Sequence, residues 1–188
     1  MKIYPIYVYG NSLLREVAKP ISKDYEGLQD LIEDMFQTMY KSEGVGLAAP
    51  QIGKSIRIFV VDATAAADEE NPELADFKKV FINPEILELS GDEWNMSEGC
   101  LSIPKLNEDV SRPDIVRIRY VDENFEEHEE TYKGYAGRII QHEYDHLEGR
   151  MFVDHLSPLR KKLIKKKLSK ISSGETVAAY KTILPKKR

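Results

Sequence analysis

Leu28, Leu31, Ile32, Met35, Phe36 and Met39 recur at three- and four-residue intervals, the period of a helix with one apolar face, so residues 25–42 are expected to form a helix that Gly44 helps to stop. A glycine-rich loop is expected directly after it. Residues 56–62 (IRIFVVD), 79–89 (KVFINPEILEL) and 115–122 (IVRIRYVD) are instead rich in β-branched and aromatic side chains, and Asp122-Glu123-Asn124 reads as a turn into a further strand near 125–133. These segments predict antiparallel pairing. The stretch 63–78, acidic, rich in small residues and interrupted by Pro72, reads as an exposed excursion between two strands. A helix is expected from about Ala136 to Gly149 and another from Ser157-Pro158, where serine can cap and proline suits the first helical position. The layout is therefore α+β: small antiparallel sheets around a central helix that carries two histidines, with an N-terminal helix and a C-terminal helix.

Size and composition narrow this further. With 188 residues, 41% hydrophobic and 31% charged, residues 1–188 are expected to form a single domain with a sizeable core. No run approaches the roughly 20 apolar residues that cross a bilayer, and the opening MKIYPIYVYG lacks the layout of an export signal, so a cytoplasmic protein with no membrane partner is expected. One cysteine, Cys100, rules out an intrachain disulfide and leaves the thiol as core filler or working group. The net charge of -5 conceals a division: residues 156–188 hold eleven Lys/Arg and one Glu, a basic tail on an acidic body.

The candidate chemistry lies in QHEYDHLEG, residues 141–149. On a helix, residues four apart sit one turn above each other, so His142 and His146 can aim at one metal ion, and Glu143, rotated by ~100°, can reach a water beside it. Metalloproteases use this pattern, but their further ligands are missing. The extended form needs a histidine where Phe152 stands, and the only acids beyond Gly149 that could replace it are Asp154 and Glu175, the latter after a lysine-rich helix. His155 falls off the usual spacing. Upstream, Cys100 in EGCLSIP (98–104) could complete a Cys/His/His set, although a lone cysteine is also commonly a small buried hydrophobe.

GVGLAAPQIG (44–53), EGCLSIP (98–104) and QHEYDHLEG (141–149) together resemble the three signature segments of the peptide deformylases, in the family's order. The resemblance implies a metal-dependent hydrolase that removes the N-formyl group from the initiator methionine of newly made proteins and releases formate. It implies Cys100, His142 and His146 as ligands of one divalent metal per chain, iron(II) in the cell, with zinc, nickel or cobalt accepted by purified protein. It also implies Glu143 as the general acid/base, with the Gln51 side-chain amide and the Leu101 backbone N–H as donors to the developing oxyanion. Gly44, Val45 and Gly46 would lie beside the bound peptide, and Ile139 is a candidate wall of the methionine pocket. Some relatives place an Arg or Tyr soon after the second segment to contact substrate; here that stretch reads Lys105-Leu106-Asn107, with Arg112 later, and the contact is unassigned.

From Arg160 to Lys170 seven residues of eleven are basic, while Leu159, Leu163, Ile164, Leu168 and Ile171 keep helical spacing. The resemblance implies N-formylmethionyl nascent peptides as partners, and with it the basic helix 157–171 suggests a contact with the ribosome; no DNA partner is expected. Two other readings compete: a zinc-type metallopeptidase built on the same helix, and a non-catalytic ribosome- or peptide-binding module with a structural metal.

Overall fold

A computed structural model of the chain describes residues 1–186; Lys187 and Arg188, the last two residues of the basic tail, lie outside the described residues. The elements follow as β1 (Ile6–Tyr7), α1 (Leu28–Lys41), β2 (Gly46–Ala48), β3 (Ile58–Asp62), β4 (Lys78–Cys100), β5 (Ile103–Val121), β6 (Glu127–Lys133), α2 (Gly134–Leu147), α3 (Pro158–Ser173) and β7 (Thr182–Ile183). Strands β2-β3-β4-β5-β6 form one antiparallel sheet in that order. The α+β class holds, with one addition: β1 and β7, from opposite ends of the chain, pair in parallel.

Strand β3 explains the sheet's place. Ile58 and Val60 face a cluster with Leu31, Met35 and Met39 of α1, while Phe59 and Val61 face a second cluster with Ile139, Ile140 and Leu147 of α2. A strand covered on both faces reads as a continuous apolar run, as IFVV does. The third cluster joins Ile164, Leu168 and Ile171 of α3 to Ile103, Leu106 and Phe152. Burying each such aliphatic side chain is worth about 1.5–3 kcal/mol, which holds α3 against the body. Leu159 and Leu163 remain exposed, so the apolar stripe on α3 is narrower than its spacing implies. The expected N-terminus of α3 holds: the Ser157 hydroxyl accepts the Arg160 N–H at 3.3 Å and Pro158 opens the helix.

Other expectations need correction. Gly44 does not turn α1 off; Glu43 takes the left-handed conformation (φ 60°), and Gly44 N–H bonds Met39 O at 2.9 Å. The glycine is needed for space, because a Cβ there would lie 2.9 Å from Leu101 Cδ1. The expected loop after α1 is half strand, β2, followed by a short 3-10 turn at Ala49–Ile52. Residues 63–78 form two 3-10 turns, and Ala63, Leu74 and Phe77 are buried, so the excursion is pinned to the core by its few large apolar residues. Strands β4 and β5 run on to the Cys100–Ile103 pair, through polar residues whose alternation is broken by bulges. Among the described residues, no helix is long and apolar enough to cross a membrane.

Candidate metal centre

The strand extension delivers Cys100. It ends β4 opposite Ile103, so the thiol stands at the tip of a tight hairpin rather than in a loose loop. Helix α2 lies beneath with Ala136–Glu143 buried, and it presents His142 and His146 on one side, their ring centroids 5.3 Å apart. One donor atom from each of Cys100, His142 and His146 can be chosen so that all lie within 4.8 Å of one another, and Cys100 Sγ is 3.3 Å from His146 Nε2. A tetrahedral ion with bonds of about 2.0–2.3 Å spaces its donors by about 3.4–3.7 Å, so this set can close on one metal with little movement.

Electrostatics support the same fit. Burial pushes the Cys100 thiol up, but the His146 and His142 imidazoles outweigh it and bring the thiol down to about 5, making a thiolate available. His142 Nδ1 lies 2.9 Å from Glu98 Oε2, which places the proton on Nδ1 and leaves Nε2 as the ligand atom. Despite burial, His142 and Arg112 hold the Glu98 carboxyl well below the usual range. Glu98 also accepts Arg112 Nε at 2.7 Å and Arg138 Nη1 at 2.9 Å, and Arg112 continues to Asp145 at 2.7 Å, where His155 also bonds. Buried cations and anions thus alternate behind the histidines, each compensating the next.

On the other side of the thiol lies Gln51, 1% exposed. Its Oε1 accepts the Ala48 N–H at 2.8 Å, which fixes the amide orientation and points Nε2 at Ser102 Oγ (3.3 Å) and Cys100 Sγ (3.5 Å). Glu143 is buried, and burial, the largest influence, pushes its carboxyl up to about 7. Among the described residues its Oε2 has no hydrogen-bond partner, nor has His146 Nδ1. Gly46 makes room for that carboxylate: a Cβ at 46 would fall 2.5 Å from Glu143 Oε1.

These groups open into one cavity of about 540 Å³. Gln51, Cys100, Leu101, His142 and Glu143 line it, and so do Gly44, Val45, Gly46 and Ile139, so the cavity gathers every sequence-derived candidate except His146, which lies against Cys100. Arg112 stays outside; it is buried in the ion-pair chain and cannot contact substrate. The protease-type ligand candidates are elsewhere: Asp154 pairs with Arg15, Glu175 is exposed and bonded by Ser173, and the Phe152 ring stacks on His142. Sequence reasoning missed Glu98, Arg138, Asp145, Ser102 and Tyr180. Glu98 and Ser102, each two residues from the cysteine in its motif, and Asp145, between the two histidines, had a local signal that could have found them.

The chain is similar to known proteins along nearly all of its length. A family model described as polypeptide deformylase matches residues 3–162. Proteins named peptide deformylase from Christiangramia forsetii and Flavobacterium psychrophilum are 52% and 48% identical, covering 97% and 99% of this chain and 96% and 100% of their own length. The crystal structure of peptide deformylase from Thermotoga maritima superposes with a TM-score of 0.75 at 40% identity, over 84% of this chain and all of that one. A Plasmodium falciparum peptide deformylase reaches a TM-score of 0.80 at 38% identity, over 90% and 95% of the two chains.

Proposed function

The chain belongs to the polypeptide deformylase family, and from that membership we propose a division of labour among its residues. It is a metal-dependent hydrolase that removes the N-formyl group from the initiator methionine of newly synthesised proteins and releases formate. We assign residues 1–188 to one catalytic domain. Cys100, His142 and His146 hold the divalent metal, iron(II) in the cell; the same thiolate and imidazoles suit zinc, nickel or cobalt, which purified protein can carry. When bound, such a metal lowers the pKa of water toward neutrality and polarises the formyl oxygen.

The protein's own groups do the rest. Glu143, whose carboxyl sits near neutrality and has an unpartnered oxygen, takes a proton from the attacking water and returns it to the departing amine nitrogen as the C–N bond breaks. Gln51 Nε2 and the Leu101 N–H donate to the formyl oxygen as it gains charge. Gly44, Val45 and Gly46 flank the peptide, and Ile139 walls the methionine pocket. The observation that carries this reading is a three-donor metal set, two of whose members line one cavity together with a buried carboxyl that has a free oxygen. It is tested by formate release from a formyl-Met tripeptide, using protein prepared without oxygen, beside Glu143→Ala and an N-acetyl peptide; formate from the wild type alone supports it, and equal release from Glu143→Ala overturns it.

The protein works in the cytoplasm on nascent chains, and its basic helix contacts the ribosome. Supporting this, Lys161, Lys162, Lys165, Lys166, Lys167 and Lys170 all face outward on α3, where they can neutralise phosphates. Co-sedimentation with ribosomes that is unchanged after charge-neutralising 160–170 would refute the contact.

A further inference from the structure

The cavity has a wall that the three sequence motifs do not supply. Helix α3 ends at Gly174 (φ +82°), and the chain turns back, Thr176 N–H bonding Lys170 O at 3.1 Å. Farther on, β7 docks beside β1: Ile6 N–H bonds Lys181 O at 2.9 Å, Val8 N–H bonds Ile183 O at 3.1 Å, and Asn11 Nδ2 bonds the same carbonyl at 2.9 Å. The stretch between these two attachments is therefore held at both ends. There Ala178, Ala179 and Tyr180 line the cavity that also holds His142 and Glu143. The Tyr180 hydroxyl donates to Leu101 O at 2.7 Å, and both side chains pack on the cluster beneath α1. This tail lies beyond residue 162, where the match to the family model ends.

We propose that Ala178–Tyr180 is a specificity-determining wall, in contact with the part of the peptide that follows the formylated residue. The inference rests on the deformylase reading of the cavity. The Leu101 peptide group lies between Cys100 and the tail, with its carbonyl taken by Tyr180. An extended peptide advances about 3.3 Å per residue, and Tyr180 is one hydrogen bond from the residue after Cys100, so a chain leaving the reacting carbonyl past Leu101 meets the tail beyond its formylated residue. Ala178 and Ala179 have short side chains, which leaves the width there to the substrate. The alternative is that the tail only ties the two ends of the chain together, in which case no substrate touches it.

Wild-type, metal-loaded protein distinguishes the two. A formyl-Met peptide with benzoylphenylalanine as its second or third residue is photolysed on the protein, and adducts are mapped after trypsin. The inference expects adducts on the peptide Ile171–Lys181; adducts confined to other stretches overturn it. In parallel, Ala178→Trp and Ala179→Trp are compared with wild type on a formyl-Met tripeptide and on formyl-Met amide. The ratio of kcat/KM between the long and the short substrate should fall at least tenfold in one of the variants; an unchanged ratio in both overturns the inference. Formate release by wild type from the formyl-Met tripeptide separates the cases: if it occurs without tail adducts, only the wall is wrong, whereas its absence removes the deformylase reading itself.

Discussion

Replacing Glu98 by Gln keeps the shape of the side chain and removes its charge, and the structure sets how much that should matter. The Glu98 side chain is 4% exposed, with Oε1 accepting from Arg112 Nε and Arg138 Nη1, and Oε2 from Arg112 Nη2 at 3.1 Å and His142 Nδ1 at 2.9 Å. Glutamine can satisfy one pair but turns an NH2 toward the other, setting donor against donor. Arg112, 4% exposed, then keeps only Asp145 as a buried counter-charge, and Arg138, 3% exposed, keeps only the Val110 and Trp94 carbonyls. Breaking a buried pair in this way costs about 3–5 kcal/mol, out of a typical total of about 5–15. With a urea m-value of about 2 kcal/mol/M, the unfolding midpoint of metal-free protein should fall by about 1.5–2.5 M. Losing the bond that orients His142 should also weaken metal binding about 10–100-fold, measured by competition with a chelator. A midpoint within 0.5 M of wild type, with unchanged metal affinity, would refute the claim that this carboxylate compensates the arginines and aims the histidine.

Gln51→Ala should lower kcat/KM about 100- to 1000-fold while metal stoichiometry by elemental analysis stays at wild type, as loss of an oxyanion donor requires. Gly46→Ala drives a methyl into Glu143 Oε1, so activity should fall more than tenfold with the metal still bound, as checked by formate assay and metal analysis. Ile164→Ala, 2% exposed in wild type, should cost about 2–5 kcal/mol in urea unfolding, whereas neutralising the outward lysines of the same helix should change stability little. Burial and Glu130 raise the Tyr132 and Tyr120 hydroxyls above their ordinary value of 10. Their contribution to stability is complete below pH 10 and is lost as pH rises through the folded values, because the unfolded state releases its protons first. Absorbance near 295 nm should therefore show these tyrosines ionising late, and earlier in Glu130→Gln.

What could be read in the chain depended on whether a feature is local. Helix α1 writes its apolar face at a fixed interval, and α3 writes its cap as Ser-Pro, so both were legible to within a few residues. The outer halves of β4 and β5 were not, because Ser90–Cys100 is polar and mostly outside the clusters, and its pairing with 103–115 is set by the hairpin closing at Leu101-Ser102. A two-residue strand such as β7 has no periodicity at all; its partner lies 176 residues away, and only the three-dimensional chain shows them side by side.

The same division runs through the site, and it says something about how the site is built. His142, Glu143 and His146 share one helix, so their spacing alone describes their geometry. Cys100 and Gln51 have neighbours that mark them as motifs, but their contact, Gln51 Nε2 to Cys100 Sγ at 3.5 Å, joins segments 49 residues apart. The groups that hold the ligands in place are more dispersed still: Glu98 meets His142 across 44 positions and Arg138 across 40, and Tyr180 meets Leu101 across 79. An arginine or tyrosine has many structural uses, so none of these residues announces its partner. Chemistry that needs a fixed spacing is therefore written locally, whereas the charge compensation that makes a buried site tolerable is written only in the folded contacts. A variant of Arg138 or Arg112, neither of them part of a motif, should for that reason disturb metal affinity as surely as one beside the ligands.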